Sequence, residues 1–385
     1  MKFLHIGDLH LGKSMNGYSL EDDQKAVLEQ ITALAEDEKA DAVLIAGDIY
    51  DMAVPPEWAV SLLDAFLTGL SDAGIRVLAI SGNHDSDERL QFGSHLFAGR
   101  GVHIAARFEG KPLMVTLEDA YGPVNFYLMP FLKASQVRHF YPEEEIADYD
   151  AAVRTVLSHA GMDPEARNVI AAHQFVAGDC GDAQLSGSEG PAAQHVGLVE
   201  KISVHSFDAF DYAALGHIHR PQKMGRETVR YCGSPLKYHV DEAGQVKSVP
   251  VVTLREKGDV SVELHPLKPL RDLRLLRGPM KELLKAENVT DSDDFVDVYL
   301  TDENPGVDLM AAFRAVYPNT LRVRVGSAVE RAGLLPEEEI HVRKRSFGEL
   351  VSDFYGETYG VPISPEELQI LRKAAAEEGL IHEAG

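Results

Sequence analysis

The chain opens with MKFLHIGDLHLG (residues 1–12), in which a short apolar run, Phe3 to Ile6, is followed at once by Gly7-Asp8-Leu9-His10. The same arrangement recurs further along the chain. The other apolar runs lie at 42–46, 77–80, 169–172 and 212–215, and they precede Gly47-Asp48-Ile49-Tyr50-Asp51, Gly82-Asn83-His84-Asp85, His173 and Gly216-His217-Ile218-His219. Such runs predict strands that are buried on both faces. Residues 20–35 and 59–70 have helical apolar spacing, so the pattern predicts an α/β fold built from βαβ units around a buried sheet.

The polar clusters predict a ligand site at one edge of that sheet. In sheets flanked by helices, ligands bind in the crevice at the carboxyl ends of the strands, where each of these clusters stands. The candidate ligands are carboxylate, amide and imidazole groups without sulfur, namely Asp8, His10, Asp48, Asn83, His173, His217 and His219. This donor set suits manganese, iron or zinc. Seven donors are too many for one ion, so we expect two ions that share a bridging carboxylate, for which Asp48 is the natural candidate.

Each cluster taken alone has an ordinary structural explanation. His173 can be a core histidine satisfied by the backbone, and Asn83 or Asp85 can cap the helix that follows. Asp51 can cap the helix that begins after Pro55-Pro56. Independent caps do not explain why five polar signals stand in the same place relative to a strand, and this coincidence favours the metal site.

The composition is that of an ordinary globular protein, but the formal net charge of -24 opposes binding to nucleic acid. Bound divalent cations or a partner subunit could supply the missing positive charge. The basic residues nearest the motifs either contact DNA phosphates or form a solvated surface: Lys13, Arg89, Arg220 and Lys237. Cys180 and Cys232 are expected to be reduced thiols. The lack of a signal-peptide or membrane-span pattern predicts a cytoplasmic protein.

Composition and periodicity predict three parts, with a catalytic domain at 1–268, a small α/β domain at 269–335 and a C-terminal helical segment at 340–385. In the small domain we expect strands at 273–276, 295–300 and 321–325 and helices at 280–285 and 309–317. In the last segment, the stretch from Phe347 to Tyr355 predicts a helix with an apolar stripe, which either faces a core or docks on a partner. Ser364-Pro365-Glu366-Glu367 predicts the capped start of a second helix.

The order of the motifs, Asp-x-His, Gly-Asp-x-x-Asp, Gly-Asn-His-Asp, His and Gly-His-x-His, resembles the calcineurin-like metallophosphoesterase family. Within it, the sequence from Gly82 to Leu90 and the tetrapeptide Gly233-Ser234-Pro235-Leu236 are similar to the SbcD family of nuclease subunits. The resemblance is firm for residues 1 to about 270. It implies a sandwich of β-sheets flanked by α-helices, with a small α/β capping domain and C-terminal helices.

The resemblance also implies an activity. Asp8, His10, Asp48 and His219 would hold one ion, and Asp48, Asn83, His173 and His217 the other, with manganese preferred. His84 would donate a proton to the leaving oxygen or stabilise its charge, and the Asp51 carboxylate would orient that histidine.

The implied enzyme is a 3′-to-5′ exonuclease on double-stranded DNA and an endonuclease on single strands and hairpins, which works with an SbcC-type ATPase and forms a homodimer. The motifs alone also allow a phosphatase or a small-molecule phosphodiesterase with the same metal centre, although such an enzyme would not need the additional domains. A binding scaffold without catalysis is disfavoured, because none of the ligands is missing.

Overall fold

The computed structural model describes residues 1–178, 181–186, 201–302, 304–306, 308–326, 348, 351–352, 355 and 363–377. Its strands are β1 (Lys2–Ile6), β2 (Ser14–Met15), β3 (Tyr18–Ser19), β4 (Ala42–Ala46), β5 (Arg76–Ile80), β6 (Val102–Ala105), β7 (Leu113–Asp119), β8 (Gly122–Met129), β9 (Arg167–His173), β10 (Val176–Gly178), β11 (Gly181–Asp182), β12 (Ile202–Ser203), β13 (Tyr212–Gly216), β14 (Gln222–Met224), β15 (Arg226–Tyr231), β16 (Ser248–Leu254), β17 (Val260–Pro266), β18 (Leu273–Gly278), β19 (Phe295–Leu300) and β20 (Thr320–Val325). Its α-helices are α1 (Glu21–Asp37), α2 (Glu57–Asp72), α3 (Asp87–Gln91), α4 (Ser94–Ala98), α5 (Ala134–Phe140), α6 (Tyr149–Ser158), α7 (Met280–Leu283), α8 (Leu309–Arg314) and α9 (Pro365–Glu377). The five apolar runs are β1, β4, β5, β9 and β13, as predicted.

Two six-stranded sheets form the large domain. The first has the strand order β17-β16-β1-β4-β5-β6, in which β1, β4, β5 and β6 are parallel and the β16–β17 hairpin is antiparallel. The second has the order β14-β15-β13-β9-β8-β7, with four parallel strands in the centre and one antiparallel strand at each edge. In both sheets the predicted strands occupy central positions.

The two sheets pack face to face. Between them, the ring of Phe3 on β1 lies 5.5 Å from that of Phe126 on β8 and 5.6 Å from that of Tyr212 on β13, in edge-to-face contacts that stabilise such pairs. Helices α1 and α2 cover the outer face of the first sheet, and α5 and α6 cover that of the second. The fold is therefore the predicted sandwich of sheets flanked by helices, and it joins both sets of strand ends at one edge.

The small α/β unit is a parallel sheet in the order β18-β19-β20, with its own core around Val298, Phe313 and Tyr317. The helices expected at 280–285 and 309–317 are shorter, ending at Leu283 and Arg314. The unit packs on the large domain through a shared apolar cluster, whose buried members are Met15, Leu20, Val27, Leu236, Tyr238, Leu273, Phe295 and Leu321. Arg271 also pairs with the buried Asp23 of α1 across this contact.

The start of α9 confirms the predicted cap. The Glu367 amide donates to Ser364 Oγ at 3.2 Å, and the Ser364 amide donates to Glu367 Oε2 at 3.0 Å, which is the reciprocal pattern of a capping box. Phe347 and Cys180 lie outside the described residues, so the apolar stripe from Phe347 to Tyr355 stays a prediction. Within the described ranges, no helix is both long and apolar enough to cross a membrane.

Candidate metal centre

The seven candidate ligands lie together at the carboxyl ends of β1, β4, β5, β9 and β13. Asp8 and His173 are fully buried, and His10, Asp48 and His219 are nearly so. His10 Nε2 lies 3.0 Å from His219 Nε2, although these residues are 209 positions apart in the sequence. At this distance either one nitrogen donates a hydrogen bond to the other, or both bind one metal ion.

The loops that carry these ligands have a constrained backbone. Eight non-glycine residues in the described part of the chain have positive φ, and four of them are candidate ligands: Asp8, His10, Asp48 and His217. Left-handed conformations are costly for residues with a Cβ and persist where the surrounding structure enforces them, often at functional sites. Asp8 Oδ1 accepts a bond from the His217 amide at 2.9 Å, which fixes two of these loops to each other.

Asp48 lies at the centre of the cluster. Its Oδ2 lies 3.3 Å from His173 Nε2 and 3.7 Å from His10 Nε2, while its Oδ1 accepts a bond from the His84 amide at 2.9 Å. Asp48 thus contacts histidines that belong to both predicted ion sites. Its carboxylate is therefore placed to bridge two cations.

Asn83 connects the remaining ligands. Its Oδ1 lies 3.1 Å from His173 Nε2 and 3.0 Å from His217 Nδ1. His173 Nδ1 lies 2.8 Å from the Ala46 carbonyl, which can only accept, so Nδ1 carries a proton. Nε2, which faces Asn83 Oδ1 and Asp48 Oδ2, is therefore the nitrogen that would bind a metal ion, with loss of its own proton where the ring is charged.

The electrostatics of the cluster favour a cation. Burial lowers the pKa of His10 to about 4 and that of His217 to about 3, so both imidazoles are neutral at pH 7, the state in which they bind metal. Burial disfavours charge on His173, but the carboxylates of Asp48 and Asp8 outweigh it and raise its pKa to about 9. Asp8 Oδ2 is buried and has no hydrogen-bond partner in the described part of the chain. An unpaired buried carboxylate oxygen is costly, and a divalent cation would satisfy it.

Two glycines are required because neighbouring groups come too close for a side chain. A Cβ on Gly216 would stand 1.9 Å from the Ala46 carbonyl oxygen, and one on Gly82 would stand 2.1 Å from Asp48 Oδ1. Neither has positive φ, so neither is required for a left-handed backbone conformation. Gly216 allows the loops of the two sheets to approach each other, and Gly82 allows the β5 loop to approach Asp48 within the first sheet.

His84 follows Asn83 and lies beside the ligands. Its ring is 4.8 Å from that of His10, and its Nδ1 donates to the main-chain carbonyl of Asp51 at 2.9 Å. The sequence suggested the Asp51 carboxylate for this role, and the structure differs. That carboxylate is held by Lys13 at 2.6 Å and by His10 Nδ1 at 3.3 Å, because both cationic or donor groups lie on its side of the loop.

The four basic residues have different environments. Arg89 and Arg220 are exposed. Lys13 forms the ion pair with Asp51 and lies 5.6 Å above the Tyr238 ring. Lys237 pairs with Asp272 at 2.8 Å and donates to the Ala243 carbonyl at 2.9 Å, so its charge links the large domain to the small one.

Three residues that the sequence did not single out for the site support its loops. Asp85, considered only as a cap, accepts bonds from the amides of Ile49, Tyr50 and Gly82 at 2.8–3.1 Å, which ties the Asp48 loop to the Asn83 loop. Gln24 of α1 donates to the His10 carbonyl at 2.7 Å, and the Tyr238 hydroxyl donates to the Leu9 carbonyl at 2.5 Å. Of the three, only Asp85 could have been identified from the sequence, because it is the last residue of the Gly-Asn-His-Asp motif.

Comparison with known proteins gives the family. The calcineurin-like phosphoesterase family matches residues 1–221, and a family described as the type 5 capsule protein repressor C-terminal domain matches residues 269–359. SbcD, the nuclease subunit of the SbcCD complex of Staphylococcus epidermidis, is 32% identical over 325 residues, which are 83% of this chain and 84% of that protein.

Two solved structures are similar at 14% identity and a TM-score of 0.38: a dimetal phosphatase from Danio rerio, over 70% of this chain, and a protein of Thermus thermophilus, over 68%. Each match covers 98% of the other chain.

The calcineurin-like family implies two divalent metal ions, and the residues present fit them. Three groups of side chains have ligand atoms within 4.8 Å of one another and together include Asp8, His10, Asp48, His84, His173 and His219. The unpaired oxygen of Asp8 and the neutral imidazoles of His10 and His217 are also groups that a divalent cation would bind. The chain therefore belongs to the calcineurin-like phosphoesterase family, in its SbcD branch of nuclease subunits, and it is a metal-dependent phosphodiesterase.

Proposed function

We propose that this chain is the nuclease subunit of an SbcCD-type complex and hydrolyses DNA with two manganese ions. Its activities are 3′-to-5′ exonuclease on double-stranded DNA and endonuclease on single strands and hairpins. They serve the processing of breaks and hairpins during repair, recombination and replication in the cytoplasm. The observation that carries this proposal is the similarity to an SbcD nuclease subunit over 83% of the chain, which reaches well beyond the phosphoesterase domain. A phosphatase would share only that domain.

The proposed ligand sets are Asp8, His10, Asp48 and His219 for one ion, and Asp48, Asn83, His173 and His217 for the other. The facing nitrogens of His10 and His219 support the first set, and the contacts of Asn83 Oδ1 with His173 and His217 support the second. When bound, such ions lower the pKa of water and neutralise charge on a phosphodiester. The chain's own contribution is to hold the ligands in this arrangement before substrate arrives.

His84 is the proposed acid. Because Nδ1 donates to the Asp51 carbonyl, Nε2 is the ring atom left to donate a proton to the leaving oxygen or to stabilise the charge on that oxygen. Asp51 keeps a positioning role through this carbonyl, and its carboxylate lies 3.3 Å from His10 Nδ1.

Substrate reaches the centre from the side of this loop. Asn83 is exposed and His84 half-buried, whereas the other proposed ligands are buried. The exposed Arg89 and Arg220 are the proposed phosphate contacts, and Lys13 contributes where its pairing with Asp51 allows. Lys237 is held by Asp272 and supports the domain contact instead.

Two exposed apolar surfaces support the proposed partners. On α9, the side chain of Ile370 is 67% exposed, as expected of a helix that docks on an SbcC-type ATPase. Phe92, directly after α3, is 82% exposed, and Leu96, within α4, is 80% exposed. Large side chains this exposed and close together indicate an interface, and the proposed homodimer would cover them.

Cleavage of end-labelled duplex and hairpin DNA in manganese, by the purified protein and by a His84→Ser variant, tests the proposal. We expect cleavage by the protein and a loss of about 10²–10⁴-fold in the variant, because one acid is removed. Metal content measured by mass spectrometry should remain the same in both, because His84 is not a proposed ligand.

The opposite result would be hydrolysis of a generic phosphodiester without cleavage of any DNA. That outcome would keep the metal centre and replace the nuclease with a small-molecule phosphodiesterase.

A further inference from the structure

A buried polar network lies behind His219, on the side away from the proposed ions. It contains Glu242, which is completely buried, and Lys247, which is 5% exposed. It also contains Ser234 from the tetrapeptide Gly233-Ser234-Pro235-Leu236, which resembles the family motif and which the metal centre itself does not use. This network contacts both the ring and the main chain of His219.

The ring contact places a carboxylate beside the His219 nitrogen that faces away from the metal site. Its Nε2 faces His10 in the cluster, and its Nδ1 faces Glu242 Oε1 at 3.8 Å. Glu242 Oε2 is also paired with the buried Lys247 ammonium, so the carboxylate is held beside the His219 ring. A carboxylate on this side favours a proton on Nδ1, which leaves the lone pair of Nε2 for a cation.

The main-chain contact fixes where the residue sits. The His219 carbonyl accepts bonds from Lys247 Nζ at 2.8 Å and from the Ser234 amide at 3.2 Å. Lys247 Nζ also lies 3.0 Å from Ser234 Oγ and 2.5 Å from Glu242 Oε2. Gly233 has a φ of +76°, and a Cβ there would stand 2.6 Å from the His219 carbonyl oxygen. The glycine thus permits the close approach that the serine amide then uses.

We propose that Glu242 and Lys247, with the Gly233-Ser234 turn, are positioning residues that hold His219 in its metal-binding orientation. The inference rests on the proposed function, since it takes His219 as a metal ligand. Removing two charges from water is costly, and a buried ion pair is often no better for stability than two apolar residues of similar size. A pair that contacts a ligand at both its ring and its carbonyl has a role that apolar residues cannot fill.

The test is manganese affinity measured by calorimetry in the absence of DNA. In a Glu242→Leu/Lys247→Met double variant both charges are removed together, so no unpaired charge stays buried. We expect manganese to bind about 10–100-fold more weakly, as when the outer partner of a metal ligand is lost. A Glu242→Gln variant, which keeps an acceptor near Nδ1, should lose less.

Asp211→Asn is the matched control. Asp211 is also buried and paired with a lysine, Lys257, at 3.1 Å, but it precedes β13 and so lies at the end of that strand opposite to His217. This variant should lose stability without losing manganese affinity.

A His219→Asn variant separates the possible failures. If it weakens manganese binding while the double variant binds like the wild type, the positioning role is wrong and the metal centre stands. If His219→Asn itself leaves binding unchanged, the assignment of His219 as a ligand is wrong, and the positioning role falls with it.

Discussion

The two sheets of the sandwich supply the candidate centre with different chemistry. The first sheet provides both carboxylates, together with an amide and one imidazole, from Asp8, Asp48, Asn83 and His10. The second provides only imidazoles, from His173, His217 and His219. Two divalent cations held by two carboxylates and neutral side chains would leave a net charge of about +2, which would attract a phosphodiester. The contrast shows how a chain of net charge -24 can present a positive site to an anionic substrate.

The largest loss of DNA cleavage is expected from substitution of a ligand in the first sheet. Asp48→Asn keeps the shape of the central side chain but removes a charge that contacts histidines of both ion sites. DNA cleavage should fall on the order of 10³-fold or more, because the charge and the bridge are lost together. Metal content should fall from two ions to one or none, as measured by mass spectrometry. Unchanged metal content would contradict the bridging role, with Asp211→Asn as the control.

A smaller loss of DNA cleavage is expected from substitution of a ligand in the second sheet. His173→Gln removes one neutral ligand and no carboxylate, so we expect cleavage to fall about 10²-fold and one ion to bind more weakly. Calorimetric titration with manganese would resolve the weakened site from the intact one. If this variant loses as much activity as Asp48→Asn, the difference in charge between the sheets does not control the centre.

The smallest effect concerns the space between the sheets. His5 is fully buried there, with Nδ1 2.9 Å from the Tyr212 hydroxyl, and burial lowers its pKa to about 3 from 6.5. Below pH 6.5 the unfolded chain binds a proton that the folded chain does not, so the free energy of unfolding falls as the pH falls towards 3. The contribution is about 1.4 kcal/mol per pH unit. Urea denaturation at several pH values gives the free energy of unfolding as a function of pH, and this dependence should be weaker for His5→Gln than for the wild type. An equal pH dependence in the two proteins would contradict the role of His5.

The central strands and the ligands were predictable for the same physical reason. A strand buried on both faces is apolar throughout, so the polar cluster that follows it stands out in the sequence, as Ile6 and Asp8 show. The antiparallel hairpins β7–β8 and β16–β17 gave no such signal. In β17 the more buried Val260 and Val262 alternate with exposed residues such as Ser261, because only one face of the strand is covered.

The supporting residues could not be predicted from the sequence. Glu242 and Lys247 lie in a stretch without apolar periodicity, and only the folded chain brings them to His219. The Asp51 contact failed for a related reason, since the choice between its carbonyl and its carboxylate depends on where Lys13 lies. Spacing can indicate that two residues are near each other, but it does not determine which atoms meet.

The distribution of ligands over both sheets also links metal binding to folding. His10 and His219, 209 residues apart, come together only when both layers have formed and packed. An ion bound between them acts as a cross-link that closes a long loop, and its binding energy becomes conformational stability. By mass action, an ion at a free concentration of 100 times its dissociation constant adds about 2.7 kcal/mol to the free energy of unfolding. Removal of such an ion by a chelator would therefore lower the free energy of unfolding and make the protein easier to unfold by heat.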